Sequence, residues 1–494
     1  MTAAPLAVTS SGTLRGTHEG GVHVFRGIPY AEPPVAHLRW RLPQSVQPWT
    51  GIRAADEFGP RAPQRIAAAP LAKSGGRMAE DCLYLNVWTP AIDAGRRPVL
   101  VFIHGGGLLA GSGSTPLTNG AELAARGDAV VITLNYRLGV LGSLYMPEVV
   151  PANLALHDQM LALRWVRREA VRFGGDPENV TLIGQSSGAV CVASLLASPF
   201  ATGLFDRAVL QSGGLERLNA PQASLALAEH FLSSLGCAVS AMRDSPLDDV
   251  LAAQASVLST GPLLPPRGHF HPTIDGTILP QHPLSAARQG LLHAVPLLLG
   301  NTAHEWRSFD AALSDDHFTE ALLRERIRVL LRTQVSEDFV LACYRSESQP
   351  DPEISSERAI AAALVSDYHF SASTELLARR HAVKGCPVFR YVLNWPSPRP
   401  KLGARHDICL PLLFGTMAAA PSLAGNDAAT RTMSHLMQDA WLAFARSNNP
   451  STPALGEWPQ YDPVERPALL LDREPRIARR HRAEQLAIWQ AAHG

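Results

Sequence analysis

Long apolar runs are missing from this sequence. In 494 residues no stretch approaches the ~20 apolar residues that a membrane span requires. Met1 to Ser10 has neither a basic start nor an apolar core of signal-peptide length, so no secretory leader is expected. An excess of charge of either sign is also missing. Forty-four basic residues meet 44 acidic ones, which argues against a nucleic-acid or anionic-membrane partner. Cysteine is scarce. The six thiols (Cys82, Cys191, Cys237, Cys343, Cys386, Cys409) show no Cys-x-x-Cys spacing, so they do not make a disulfide framework and point to a reducing cytoplasm.

Linkers and repeats are missing as well. Length alone suggests about three domains at roughly 150 residues each. No low-complexity run, fixed-period repeat or block of like charge divides the chain, so residues 1–494 read as one domain. Phosphate-loop chemistry is excluded. Gly106 and Gly111 have the spacing, but Ser112 stands where lysine is required. His269-x-His271 could offer two metal ligands, but no third is evident, so neither metal nor organic cofactor is expected.

What is present is a mixture of strand and helix signals. Residues 5–30 alternate apolar and polar positions between glycine turns, as short antiparallel strands do. Apolar runs at Val99–His104, Ala129–Asn135, Val180–Gln185, Arg207–Gln211, Val295–Gly300 and Pro387–Leu393 read as buried strands. Leu156, Met160, Leu163, Val166 and Ala170 recur at helical spacing, and Gly174-Gly175-Asp176-Pro177 ends that helix. Strands alternating with helices predict a mostly parallel sheet covered on both faces. Residues 215–270 and 308–385 are rich in alanine and leucine and read as helical excursions over it.

The most informative stretch is Val180 to Ala189. A strand-like run enters Gly184-Gln185-Ser186-Ser187-Gly188, and Ala189 to Leu196 reads as a helix start. That is the context of a nucleophile elbow, a tight turn that lifts a serine hydroxyl off the end of a sheet. A serine hydroxyl needs a base to take its proton and a carboxylate to orient that base. In α/β-hydrolases the acid and then the histidine follow the serine in the chain. Glu305 lies in a polar loop after the 295–300 strand, with Asp275, Asp310 and Asp407 as rivals. The later histidines are His317, His369, His381, His406, His435, His481 and His493, and of these His406 is the best loop candidate. His381 and His435 lie in helical stretches, and His481 and His493 in a charged tail. His104-Gly105-Gly106-Gly107 follows a strand, and bare amides there can reach a developing oxyanion.

Ordered matches along the chain extend this pattern. They include Phe25 to Ala31 (FRGIPYA), Glu80 to Trp88 (EDCLYLNVW), His104 to Gly107 and Asn135 to Gly139 (NYRLG). Further on come Phe173 to Pro177 (FGGDP), Gln211-Ser212-Gly213, Gly403 to His406 (GARH) and Trp458 to Tyr461 (WPQY). On these residues the chain resembles the type B carboxylesterases, the α/β-hydrolase family that takes in cholinesterases and bacterial para-nitrobenzyl esterases. The resemblance implies a mostly parallel sheet flanked by helices with a small N-terminal antiparallel sheet. It implies Ser186 as nucleophile, Glu305 as acid and His406 as base. The amides of Gly106, Gly107 and Ser187 would bind the oxyanion, with Ser212 hydrogen bonding near the triad. It also implies ion pairs of Arg39 with Glu80 and Arg137 with Asp158.

The departures matter too. Gln185 and Ser187 replace the family's usual Glu and Ala, so a carboxylate near the imidazole is missing and an altered pH–rate profile is expected. Leu108 replaces an aromatic after the glycines and makes one pocket wall aliphatic. The partner that the family often bonds to Cys82 is absent, and Gln64–Glu80 lacks the tryptophan on which a choline head would stack. The expectation is therefore a serine esterase for small to medium acyl, aryl or alkyl esters, working through an acyl-enzyme. The alternatives are an amidase, carbamate hydrolase or acyltransferase using the same triad, and a non-catalytic binding protein on this fold.

Overall fold

A computed structural model describes residues 3–65, 76–259, 270–331, 335–347 and 351–490. Among the described residues there are fourteen strands: β1 Leu6–Thr9, β2 Gly12–Arg15, β3 Thr17–Glu19, β4 Val22–Pro29, β5 Ile52–Ala54, β6 Tyr84–Thr89 and β7 Arg97–Ile103. They continue as β8 Val130–Leu134, β9 Gly175–Gln185, β10 Arg207–Gln211, β11 Leu297–Thr302, β12 Val388–Leu393, β13 Pro467–Leu471 and β14 Arg476–Arg479. Eleven form one sheet in the order β14-β13-β12-β11-β10-β9-β7-β8-β6-β4-β3. From β13 to β8 the neighbours are parallel, while β14 at one edge and β6, β4 and β3 at the other pair antiparallel. The fold is that of an α/β-hydrolase.

The central stretches of the parallel strands are mostly apolar because both faces are covered. On β7, Val99, Val101 and Ile103 join a core with Leu156, Met160, Leu163 and Val166 of the helix Leu154–Glu169. The alternate residues Leu100 and Phe102 join a second core with Met433, Met437 and Trp441 of the helix Ala428–Ser447. The same alternation runs through β9, where Val180 and Leu182 face one core and Ile183 the other.

The small N-terminal sheet is narrower than the sequence suggested. It contains β1, β2 and β5, with β1 and β2 antiparallel and β2 and β5 parallel. The next pair, β3 and β4, extends the main sheet instead, through the antiparallel pairing of β4 with β6. The Gly174–Pro177 breaker also does double duty. Gly174 ends the helical segment at φ 72°, and β9 begins at once with Gly175 opposite Arg97. The register then shifts before Val180 pairs with Val99, so the intervening polar residues form an irregular stretch and Pro177 lies outside the regular ladder.

Helices occupy the described parts of 215–270 and 308–385. Pro221–Leu235 and Leu247–Ser259 pack against Trp40, Val140 and Leu154. Glu320–Leu331, Glu337–Glu347 and Ser356–Ser366 share a core with Trp306 and Trp489. Among the described residues no helix is long and apolar enough to cross a membrane.

Candidate active site

The parallel strands end on one edge of the sheet, and that edge carries the candidate chemistry. Ser186 follows β9 directly, at φ 57° and ψ −126°, and the helix Ser187–Ala197 begins behind it. This strained conformation is held because its amide donates to the Gln211 carbonyl at the end of β10, at 2.8 Å. The flanking glycines are required by close approach. A Cβ on Gly184 would stand 2.4 Å from the Gly188 carbonyl oxygen, and one on Gly188 would stand 2.2 Å from that of Ile103.

Glu305 follows β11 and is fully buried. One carboxylate oxygen accepts the Thr302 amide at 2.6 Å, and the other accepts Nδ1–H of His406 in a short hydrogen bond. His406 lies between β12 and the helix Cys409–Phe414. Its Nε2 lies 2.8 Å from Ser186 Oγ. The turn that presents it is fixed by an exchange across the site. The Ala404 amide donates to His304 Nδ1 at 3.0 Å, and the His304 amide donates back to the Ala404 carbonyl at 3.1 Å. Burial pushes the His304 imidazole down to about 3, with the Arg307 charge adding to it, so the ring stays neutral and can accept.

The rival acids are engaged elsewhere. Asp310 pairs with Arg326 at 3.0 Å, Asp407 with Arg405 at 2.7 Å, and Asp275 accepts the Leu279 amide at 2.8 Å. The other histidines are also elsewhere. The buried His381 meets the Val295 carbonyl, His317 and His435 are exposed, and His493 lies outside the described residues.

The glycine loop crosses in front of the elbow. A Cβ on Gly105 would stand 2.9 Å from Ser186 Cβ. Gly106 has φ 109°, and a Cβ there would stand 2.1 Å from the Ala110 carbonyl oxygen. The amides of Gly106, Gly107 and Ser187 donate to no acceptor among the described residues. Leu108 lines the pocket beside Ser186. Its amide donates to the Ser187 hydroxyl. The loop begins at the buried His104, whose ring stacks on Tyr136 at 4.4 Å and whose Nδ1–H donates to the Gly105 carbonyl. Burial pushes this imidazole down to about 4.

Gln185 is fully buried, and its amide donates to the His406 carbonyl at 3.2 Å. Ser212, at φ 54°, is tied in through its own amide, which donates to the Gly300 carbonyl at 2.8 Å. Both expected ion pairs form. Arg39 grips Glu80 with two bonds of 2.5 and 2.6 Å, and Arg137 grips Asp158 with two of 2.6 and 2.8 Å. Cys82 is a buried free thiol. His269 lies outside the described residues, while His271 lines the pocket.

Sequence reasoning missed several neighbours of the site. Phe309 and Phe370 pack on the His406 ring at 5.4 and 5.0 Å. Val190, Gly214 and Arg217 complete the pocket wall. Phe309 and Phe370 carry no local pattern, because segments far along the chain bring them in, while Val190 stands on the elbow helix itself.

A carboxylesterase-family model matches residues 3–489. The chain is 35% identical over 488 residues to the para-nitrobenzyl esterase of Bacillus subtilis (strain 168), covering 95% of each chain. It is 34% identical over 497 residues to the phenmedipham hydrolase of Pseudarthrobacter oxydans, again covering 95% of each. The solved structure of a thermophilic PNB esterase superposes with a TM-score of 0.87 at 32% identity, over 99% of this chain and 100% of that one.

Proposed function

This chain belongs to the carboxylesterase family and is a carboxylic ester hydrolase, and from that premise we propose that Ser186, His406 and Glu305 carry the reaction. The observation behind this reading is the imidazole bridge. His406 meets Ser186 Oγ through one ring nitrogen and Glu305 through the other. His406 Nε2 takes the hydroxyl proton as Oγ attacks the ester carbonyl carbon. The bare amides of Gly106, Gly107 and Ser187 then receive the tetrahedral oxyanion. His406 passes the proton to the leaving alcohol, which departs and leaves an ester of Ser186. Water, deprotonated by the same ring, attacks that acyl-enzyme and releases the acid. Glu305 fixes the tautomer with Nδ1 protonated and offsets the charge of the imidazolium. Gln185 and Ser212 hold the strand ends on which these groups stand.

The substrates we propose are small to medium acyl, aryl or alkyl esters, with Leu108 as an aliphatic wall. We read residues 1–494 as one catalytic domain, and the six free thiols support a cytoplasmic setting. One experiment tests the mechanism. A fluorophosphonate probe is expected to label Ser186, located by peptide mass, and to stop turnover of p-nitrophenyl esters from acetate to decanoate. Hydrolysis that survives in Ser186→Ala, or label found on another residue, would overturn it.

A further inference from the structure

The pocket beside Ser186 contains a cation that acyl transfer does not use. Arg217 shares the pocket wall with Leu108, Val190, Gly214, His271 and Phe370. Its guanidinium carbon lies 5.6 Å from the centre of the Phe370 ring, and that ring packs at 5.0 Å on His406. The cation therefore stands one aromatic ring away from the candidate base.

Its nearest carboxylate does not saturate it. The shortest approach of Glu216 is to the inner nitrogen, with Oε1 at 3.4 Å from Nε. The same oxygen also meets His369 Nδ1 in a short hydrogen bond. The two terminal amino groups of Arg217 meet no carboxylate or carbonyl among the described residues. The side chain is only 19% exposed. A guanidinium presents a rigid, planar fork of donors that matches a carboxylate with two parallel bonds. In a pocket shielded from water such a contact is worth more than on the surface. Packing on Phe370 accounts for the flat face of the group and leaves the outer edge free.

Resting on the reading of Ser186 as nucleophile, we infer that Arg217 selects esters that carry a second, free carboxylate. That carboxylate sits in the acid half, as in a hemiester of a dicarboxylic acid, or in the alcohol half. Bond making and breaking stay with Ser186 and His406, and Arg217 positions the substrate.

The test compares matched anionic and neutral esters. For the acid half, p-nitrophenyl hydrogen glutarate is set against p-nitrophenyl valerate. For the alcohol half, 4-acetoxybenzoate is set against 4-acetoxybenzamide. Wild type, Arg217→Gln and Arg217→Lys are measured on all four. In Arg217→Gln the anionic-over-neutral ratio of kcat/KM is expected to fall roughly tenfold to a hundredfold in at least one pair, the scale of a hydrogen bond to a charged group. Arg217→Lys is expected to restore part of it, and the responding pair assigns the half. Ratios that stay constant, or all four rates falling together, would make Arg217 a structural residue and overturn the inference. In that case turnover of the neutral esters and labelling of Ser186 persist in the wild type. Loss of both in the wild type would instead sink the nucleophile assignment, and the inference with it.

Discussion

The Ser187 hydroxyl accepts a hydrogen bond from the Leu108 amide at 3.2 Å, tying the first residue of the elbow helix to the end of the glycine loop. Leu108 is held at φ 59°, where a side chain is strained, so the contact helps to fix a conformation that the backbone alone disfavours. With alanine at 187, the Leu108 amide would have no such acceptor. Ser187→Ala is expected to lower stability by about 1 kcal/mol. Because the loop that carries the proposed oxyanion amides is loosened, kcat should also fall, by several-fold. Wild-type melting and wild-type kcat in this variant would show that the bond does not hold the loop.

Gly106 has no room for a methyl group. Gly106→Ala forces the loop away from the Ala110 carbonyl and displaces the Gly106 and Gly107 amides. Loss of one oxyanion donor costs about 10²–10³ in kcat. The expected signature is that loss with KM changed far less. A variant that folds and turns over p-nitrophenyl butyrate at the wild-type rate would remove the glycine loop from the mechanism.

Gln185 offers a neutral donor to the His406 carbonyl where a carboxylate would offer none unless protonated. Gln185→Glu therefore loses that bond and brings a negative charge to the site. A nearby anion favours the charged imidazole. The acidic limb of kcat/KM is expected to move to higher pH, by roughly one unit. An unmoved limb, measured between pH 5 and 9, would rule out the charge at position 185 as a control on the base.

His104 makes stability depend on acid. Burial holds its folded-state value at about 4, below the ordinary 6.5, so the unfolded chain binds a proton that the folded one refuses. Stability from this group is complete above pH 6.5 and is lost as pH falls toward 4. The loss is at most ~3 kcal/mol. Melting temperature should drop across that interval in the wild type and drop less in His104→Gln. Parallel curves would contradict the assignment.

Asp158 is fully buried against Arg137, which is itself 3% exposed. Asp158→Asn strands a buried guanidinium and is expected to cost about 3–5 kcal/mol. Urea denaturation measures this directly. A loss under 1 kcal/mol would mean that water reaches the pair.

The legible parts of the site were those with a local cause. The elbow could be read because Gly184 and Gly188 must be glycine wherever this strand turns this tightly into a helix. The parallel strands could be read because burial on both faces leaves their central stretches mostly apolar. Strands β6, β13 and β14 were not read, since they lie at or near the sheet edges, where the pattern is mixed and pairing depends on distant partners. Phe309, Phe370 and Arg217 carry no motif.

The sequence by itself determined the strand-and-helix alternation, the turn that bears Ser186 and the glycine loop before it, because each leaves a pattern within a short stretch of chain. It narrowed the acid to a handful of carboxylates and the base to a handful of histidines. Only the tertiary structure separated Glu305 from Asp310 and Asp407, by burying it beside His406 while the other two found arginines. The physical reason is register. The parallel register aligns Gln185 at the end of β9 with Gln211, Gly300 and Tyr391, two residues short of the ends of β11 and β12, and that alignment, set by long-range hydrogen bonding, brings residues 186, 305 and 406 within reach.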